Sequence, residues 1–176
     1  MTAAAPIAVN AKPARYLTFS LGRESYGVPV LNVREIIRLC PITPVPSMPA
    51  HIRGVINLRG TVLAVLDLRA KFQMPAGEYN ERTCIIVIQV ASPSGQPLLM
   101  GAIVDAVEEV LQLADTEIEP APDFGMSSTP GYIIGMATVH GSVKILLNIE
   151  KIFLEDGTLA LPAVTPADPT TQNSPL

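Results

Sequence analysis

The chain contains the same pattern twice, and this duplication restricts the folds that it can adopt. Residues 26–72 and 100–153 carry glycine, acidic and proline residues in the same order. Four matched pairs lie 74 residues apart and four lie 81 apart, so one insertion of seven residues, near 124–129, joins the two registers. The pairs are Gly27/Gly101, Val33/Val107, Glu35/Glu109, Pro46/Pro120, Gly54/Gly135, Gly60/Gly141, Asp67/Asn148 and Phe72/Phe153. Because glycine readily adopts positive φ, glycines at fixed spacing indicate repeated backbone geometry. The sequence therefore predicts two similar small units.

Local patterns between the repeated glycines predict an all-β fold with short helices. Short runs of β-branched and aliphatic residues, separated by Gly and Pro, indicate small barrels or a sandwich. The predicted strands are residues 16–21, 26–30, 33–38, 53–58, 61–66, 84–91, 98–104, 106–111, 132–139 and 142–147.

Each repeat also carries a hairpin signal and a helix-start signal. Arg59-Gly60 and His140-Gly141 each separate two strand patterns, which predicts tight turns with the residue before Gly in solvent. Asp67 and Asn148 follow the second strand of each hairpin and are good N-caps, since the side-chain oxygen accepts a free backbone N–H. We therefore expect each unit to end in a short helical turn anchored by a phenylalanine, Phe72 or Phe153.

Composition and charge limit the classes of partner. Charged residues make up 16% of the chain, below the usual ~25%, which indicates a large core or apolar surface that meets partners. With a net charge of −4, we expect no binding to nucleic acid and no direct membrane insertion. Residues 1–81 hold nine basic and five acidic residues, whereas residues 82–176 hold three and eleven. This asymmetry suits docking between unlike surfaces, or reflects chance and an acidic loop at 115–123.

The termini and the cysteines indicate an intracellular protein with two tails. Residues 1–14 are rich in Ala and Pro and are predicted to be disordered, and residues 156–176 are predicted to form a flexible Pro/Thr-rich tail. Cys40 and Cys84 form no disulfide framework and no metal spacing, and Cys84 opens the apolar run CIIVIQV of a core strand. No signal-peptide pattern or membrane-span run is found, so we expect a cytoplasmic location.

No catalytic, metal-binding or cofactor-binding pattern is found in the sequence. His51 and His140 have no Cys or Glu at ligand spacing, and no nucleophile or phosphate-binding motif occurs. An interaction module is the class that remains. A small β-barrel that binds an unrelated peptide or polysaccharide is an alternative, and an enzyme using Asp105 and Glu108 would require a deep polar pocket around those carboxylates.

Three segments carry a resemblance to a known family. GVINLRGTVLAVLDLRAKF (54–72), together with VREII (33–37) and ITPVP (42–46), resembles the CheW family of bacterial chemotaxis coupling proteins. In the second repeat, VDAVEEVL, IEPAP and NIEKIF fit the same pattern. The resemblance covers roughly residues 15–155.

The resemblance implies both a fold and a function. The expected fold is two SH3-like five-stranded β-barrels related by internal duplication, about 15–81 and 82–155, with exchange of strands between them left open. The expected function is a non-catalytic adaptor that binds no cofactor and no metal. It would bridge the cytoplasmic tips of chemoreceptors and the regulatory domain of the histidine kinase CheA, in rings with the kinase. Such a protein is cytoplasmic and is recruited to receptor arrays at the inner membrane.

The resemblance also implies two sets of binding residues. The receptor-side set is Val33, Glu35, Gly54 and Arg59, with Glu35 positioned to pair with Arg59. The kinase-side set is Ile37, Leu39 and Ile42. Other interpretations are that Arg59 is an ordinary solvated residue, that Gly54 only fits a bulge, and that the three apolar residues fill the first barrel.

Overall fold

The computed structural model describes residues 13–92, 94–121 and 131–155, and these form ten strands and two short helices. The strands are β1 (Ala14–Leu21), β2 (Glu24–Pro29), β3 (Val33–Arg38), β4 (Ile52–Leu58), β5 (Thr61–Asp67), β6 (Cys84–Ala91), β7 (Pro97–Val104), β8 (Ala106–Leu113), β9 (Ile133–Val139) and β10 (Ser142–Leu147). Helix α1 is Leu68–Lys71 and helix α2 is Ile149–Glu155, with 3-10 turns at Val30–Asn32 and Asp115–Glu117. All ten predicted strands and the all-β class are confirmed.

The predicted tails fall almost entirely outside the described residues. Residues 1–12 and 156–176 are not among them. Ala14, which the sequence placed in the N-terminal tail, is instead the first residue of β1.

The strands form two five-stranded sheets that exchange strands between the repeats. Sheet 1 has the order β8-β1-β2-β10-β9 and sheet 2 has the order β3-β6-β7-β5-β4. The repeat makes strands β1 to β5 equivalent to strands β6 to β10, in that order. If every strand of sheet 1 is replaced by its equivalent, the result is the strand order of sheet 2. The duplication therefore relates one whole sheet to the other.

The predicted boundary between residues 81 and 82 separates the two repeats but not the two sheets. Sheet 1 takes β1 and β2 from the first repeat and three strands from the second, and sheet 2 has the reverse arrangement. The repeats join through two parallel pairings, β2 with β10 and β7 with β5, and through two antiparallel pairings, β1 with β8 and β3 with β6. Each barrel is thus built from both halves of the chain, and the division into 15–81 and 82–155 must be corrected.

Each sheet is closed into a barrel by one bridge between a link segment and an edge strand. In barrel 2, Thr43 and Val55 exchange two backbone hydrogen bonds of 2.9 Å each. In barrel 1, Glu119 and Met136 exchange two of 2.7 Å. These two bridges, which we call the seams, join the strand edges that an open five-stranded sheet would leave unpaired.

The buried side chains form one central core and two barrel interiors. Strand β6 is buried on both faces, which explains why every residue of CIIVIQV except Gln89 is apolar. Cys84, Ile86, Ile88 and Val90 enter the central core, and Ile85 and Val87 enter the interior of barrel 2. The predicted core position of Cys84 is confirmed, and burial raises the pKa of its thiol. The other barrel 2 interior residues are Ile56, Leu63, Val65 and Ile103, and those of barrel 1 are Tyr16, Leu113, Ala137 and Leu146.

The two predicted helix starts are confirmed, but their contacts differ. Asp67 accepts hydrogen bonds from the amides of Arg69 (2.9 Å) and Ala70 (3.4 Å), and Asn148 accepts one from Lys151 (3.2 Å). Asp67 is also bound by the Arg53 guanidinium at 3.0 and 3.1 Å and by the Tyr79 hydroxyl at 2.9 Å. The first cap therefore ties helix α1 to β4 and to the segment that joins the two repeats.

The two anchoring phenylalanines are both in apolar contact. Phe153 is fully buried in the central core. Phe72 is half-buried and stacks between Tyr26 and Tyr132, with ring centroids 5.6 Å apart on both sides.

Candidate protein-binding surfaces

Glu35 and Arg59 form a solvent-accessible ion pair at the edge of barrel 2. The Arg59 Nη2 donates to Glu35 Oε2, which joins β3 to the turn between β4 and β5. This hydrogen bond raises the pKa of the guanidinium. The Arg59 side chain is 69% exposed, so most of its donors remain available to a partner.

The turn that carries Arg59 has both central residues in the left-handed region. Arg59 has φ 51° and Gly60 has φ 88°, as expected for the two-residue hairpin turn that the sequence predicted. The side-chain oxygen of Asn57 accepts a hydrogen bond of 2.8 Å from the Gly60 amide. In the second repeat, His140 and Gly141 have nearly the same angles, 51° and 80°.

Gly54, the third residue of the predicted receptor-side set, has a role inside its own fold. It is buried in β4 at a register shift, with φ +143°. A Cβ at this position would lie 2.7 Å from the carbonyl carbon of Thr43 and still nearer to its oxygen. The chain's own seam segment thus approaches the backbone at Gly54, which corresponds to the alternative interpretation that Gly54 fits a bulge. Because Gly54 is buried, it is not part of the receptor surface that we propose below.

Val33 is half-buried and packs against the central core. A register shift separates Val33 from Glu35, so Val33 faces the central core whereas Ile37 faces the interior of barrel 2. Val33 thus holds β3 in place and presents little surface of its own.

Ile37, Leu39 and Ile42 are brought together by the structure, but they point inward. All three are half-buried and pack against the interior of barrel 2. This corresponds to the alternative interpretation that they fill a barrel, although that barrel is lined by β6 and β7 of the other repeat as well as by β4 and β5.

The exposed apolar residues of this region are Leu31 and Ile36, which the sequence reasoning missed. Leu31 is 97% exposed in the turn before β3, and Ile36 is 44% exposed on the outer face of β3. Arg34 and Arg38 are exposed on that same face. The adjacent pair Ile36-Ile37 could have indicated this exposure. Adjacent residues of a strand face opposite sides, so one of the two had to face outward.

The carboxylates that an enzyme would need are held by cations. Asp105 accepts bonds from Arg69 Nε (2.7 Å) and Nη2 (2.5 Å) and from the Gly22 amide (2.7 Å). Burial raises the pKa of Asp105, but these hydrogen bonds outweigh it and the pKa lies below its ordinary value. Glu108 accepts a bond from the Ser25 hydroxyl and lies 3.5 Å from Lys144 Nζ. Both carboxylates are therefore engaged by partners within the fold.

Over the described ranges 13–92, 94–121 and 131–155, no helix is long and apolar enough to cross a membrane. The same part of the chain holds no group of three or more His, Cys, Asp or Glu residues placed to bind a metal ion.

Comparisons with known proteins match this chain across both repeats. A family model described as the CheW-like domain matches residues 15–156. The chemotaxis protein CheW of Klebsiella aerogenes is 37% identical over 137 residues, covering 78% of this chain and 80% of the relative. That of Rhizobium meliloti is 36% identical over 137 residues, covering 78% and 85%. The crystal structure of scaffolding protein TtCheW from Thermoanaerobacter tengcongensis superimposes with a TM-score of 0.70 at 31% identity, covering 80% of this chain and 92% of that one.

Proposed function

Because the chain belongs to the CheW family of chemotaxis scaffold proteins, we propose that it couples chemoreceptor tips to the histidine kinase CheA. In this role it binds the cytoplasmic tip of a receptor and the regulatory domain of the kinase, and it catalyses no reaction. It would work on the cytoplasmic side of the inner membrane, in receptor arrays where it forms rings with the kinase.

The observation that carries this proposal is that one edge strand contributes to two different surfaces. Strand β3 places Glu35 beside Arg59, and its opposite face presents Ile36 between Arg34 and Arg38. An adaptor transmits a receptor's conformational bias only if binding at one surface changes the affinity at the other. A strand shared by both surfaces gives a short physical connection between them.

We assign the receptor surface to Arg59 and Glu35, with Val33 supporting β3 from the central core. A guanidinium presents several donors in a planar fork, and it can bind the carboxylates and backbone carbonyls of a helical hairpin. Glu35 restrains the long Arg59 side chain before binding, so less side-chain entropy is lost when the partner docks.

We assign the kinase surface to Leu31 and Ile36, with Ile37, Leu39 and Ile42 holding the strand and the following link from inside the barrel. Exposed apolar side chains are typical of surfaces that bind a partner, whereas buried side chains are not available for binding. Arg34 and Arg38 flank Ile36, which favours a partner surface that carries acidic residues.

The receptor assignment is tested with Arg59→Glu, which places a second carboxylate beside Glu35. We expect the affinity for a purified receptor tip to fall at least about tenfold, because charge-assisted hydrogen bonds are lost, with the Tm nearly unchanged. His140→Glu is the matched control, since His140 is the exposed residue at the same position of the other turn. Unchanged receptor affinity in Arg59→Glu would remove this residue from the surface.

The kinase assignment is tested with Ile36→Asp, measured by calorimetry against the isolated regulatory domain. We expect weaker kinase binding with intact receptor binding, the reverse of Arg59→Glu. Val143→Asp changes an apolar residue of similar exposure on β10 and serves as the control. Ile42→Asp should lower the Tm as well, because its side chain packs against the barrel interior. If the wild-type protein bound neither partner, a module for an unrelated peptide or polysaccharide would be the better account.

A further inference from the structure

The two hairpin turns are equivalent by sequence repeat and by backbone angle, but their side-chain support differs. In the first turn, Asn57 Oδ1 accepts a hydrogen bond of 2.8 Å from the amide of Gly60. Thr138 occupies the position of Asn57 in the second repeat, and within the described ranges it makes no hydrogen bond to the turn at Gly141. The additional bond is found at the turn that carries the exposed ion pair.

The first turn needs this support because Arg59 is an unfavourable residue for its conformation. A residue with a Cβ is disfavoured at φ 51°, and arginine has no short polar side chain that could stabilise the left-handed region locally. Asn57 accepts a hydrogen bond from the backbone amide of Gly60, the residue that follows Arg59 in the turn. It therefore opposes relaxation of the turn toward conformations that suit arginine better.

The conformation of the turn decides whether Arg59 reaches Glu35. The two residues lie on opposite edges of sheet 2, since β3 and β4 are the two ends of the strand order. A small rotation of a two-residue turn moves a long side chain at its tip by several ångströms on simple geometric grounds. The ion pair between Arg59 and Glu35 thus depends on the turn angles that Asn57 restrains.

We propose that Asn57 is a positioning residue that holds Arg59 in its binding arrangement. The inference rests on the proposed receptor surface. Asn57 need not touch the receptor, because it acts through the turn and through Arg59.

The first test compares affinities for a purified receptor tip in full-length variants. Asn57→Ala should weaken binding about two- to tenfold, the range expected for one neutral hydrogen bond, and should leave binding to the kinase regulatory domain unchanged. Asn57→Asp keeps an acceptor oxygen at the same position and should restore most of the affinity. Thr138→Ala is the matched control and should change neither affinity.

A second comparison separates positioning from direct contact. If Asn57 acts only through Arg59, Asn57→Ala should cause no further loss of affinity in an Arg59→Ala background. Additive losses would overturn the inference, because they would show that Asn57 contributes independently of the arginine. Full affinity of Asn57→Ala, with Arg59→Ala weakened, would overturn it as well.

A measurement without any partner distinguishes failure of the inference from failure of the proposed function. Hydrogen exchange of the Gly60 amide, followed by NMR, should be faster in Asn57→Ala and near wild type in Asn57→Asp. Unchanged exchange would refute the role of Asn57 in the turn. Faster exchange together with full receptor affinity in Arg59→Ala would refute the receptor surface, and with it the binding role of Asn57, while leaving its effect on the turn established.

Discussion

Substituting Gly54 by alanine should open the seam of barrel 2. The added methyl group would lie 2.7 Å from the carbonyl carbon of Thr43 and 3.0 Å from Cα of Pro44, both of them backbone atoms. Backbone cannot rotate away as a side chain can, so the segment has to move. That movement breaks the two 2.9 Å hydrogen bonds between Thr43 and Val55.

The magnitude of this effect follows from two independent costs. Two net hydrogen bonds contribute about 1–3 kcal/mol, and a φ of +143° in a residue with a Cβ costs about 1–2 kcal/mol more. The free energy of unfolding should therefore fall by about 2–5 kcal/mol. For a chain of this size, the Tm should drop by roughly 5–15 °C.

Two other glycines separate the two costs. Gly60→Ala meets no atom within 4 Å but has φ +88°, so it should show the backbone cost alone, about 1–2 kcal/mol. Gly135→Ala lies at the other seam, where its Cβ would be 2.6 Å from the Glu119 carbonyl oxygen without a positive φ. It should show the cost of the broken bridge alone, about 1–3 kcal/mol.

The assay is urea and thermal unfolding of the three variants, followed by circular dichroism. A Gly54→Ala protein as stable as Gly60→Ala would refute the reasoning, because the approach of Thr43 would then contribute nothing. If Gly54→Ala instead lost both stability and receptor binding, the binding defect would follow from the open seam. No contact between Gly54 and a partner would be needed to explain it.

Three further predictions concern stability and pH. The lowered pKa of Asp105 means that the unfolded chain binds more protons on this group. The stabilisation that ionised Asp105 provides is therefore complete above its ordinary pKa of 3.8 and is lost as the pH falls through the folded-state pKa. In urea unfolding, wild type should be more stable than Asp105→Asn at neutral pH. This difference in the free energy of unfolding should shrink on acidification from about pH 5. Phe153→Ala should cost about 3–5 kcal/mol in the same assay, and Phe72→Ala should cost less because Phe72 is only half-buried. Asp67→Ala should lower the Tm more than Asn148→Ala, which removes one cap bond worth about 1 kcal/mol, and equal shifts would contradict the contacts of Asp67 with Arg53 and Tyr79.

The parts of the fold that depend on neighbouring residues could be predicted from the sequence. Each strand, each turn and each cap is decided by a few adjacent residues, such as Arg59-Gly60 or Asp67 before α1. The pairing of Glu35 with Arg59 was also anticipated, although only through the family resemblance.

The assignment of strands to sheets could not be predicted, because the two repeats offer equivalent partners. Strand β3 presents the same pattern whether it pairs with β1 of its own repeat or with β6 of the other, and only the assembled fold decides. The direction of Ile36 against Ile37 depends on that assembly too. Contacts between residues far apart in sequence, such as Arg69 with Asp105, leave no local signal.

The exchange of strands has a consequence for the origin of the chain. A single repeat on its own would supply two strands to one barrel and three to another, and it could complete neither. Two separate copies could complete both by trading the same elements across a twofold axis, as a domain-swapped homodimer does. Joining two such copies through a segment equivalent to residues 73–83 would give the strand arrangement of this chain. Cutting the backbone there should give two fragments that are unfolded apart and that fold when mixed.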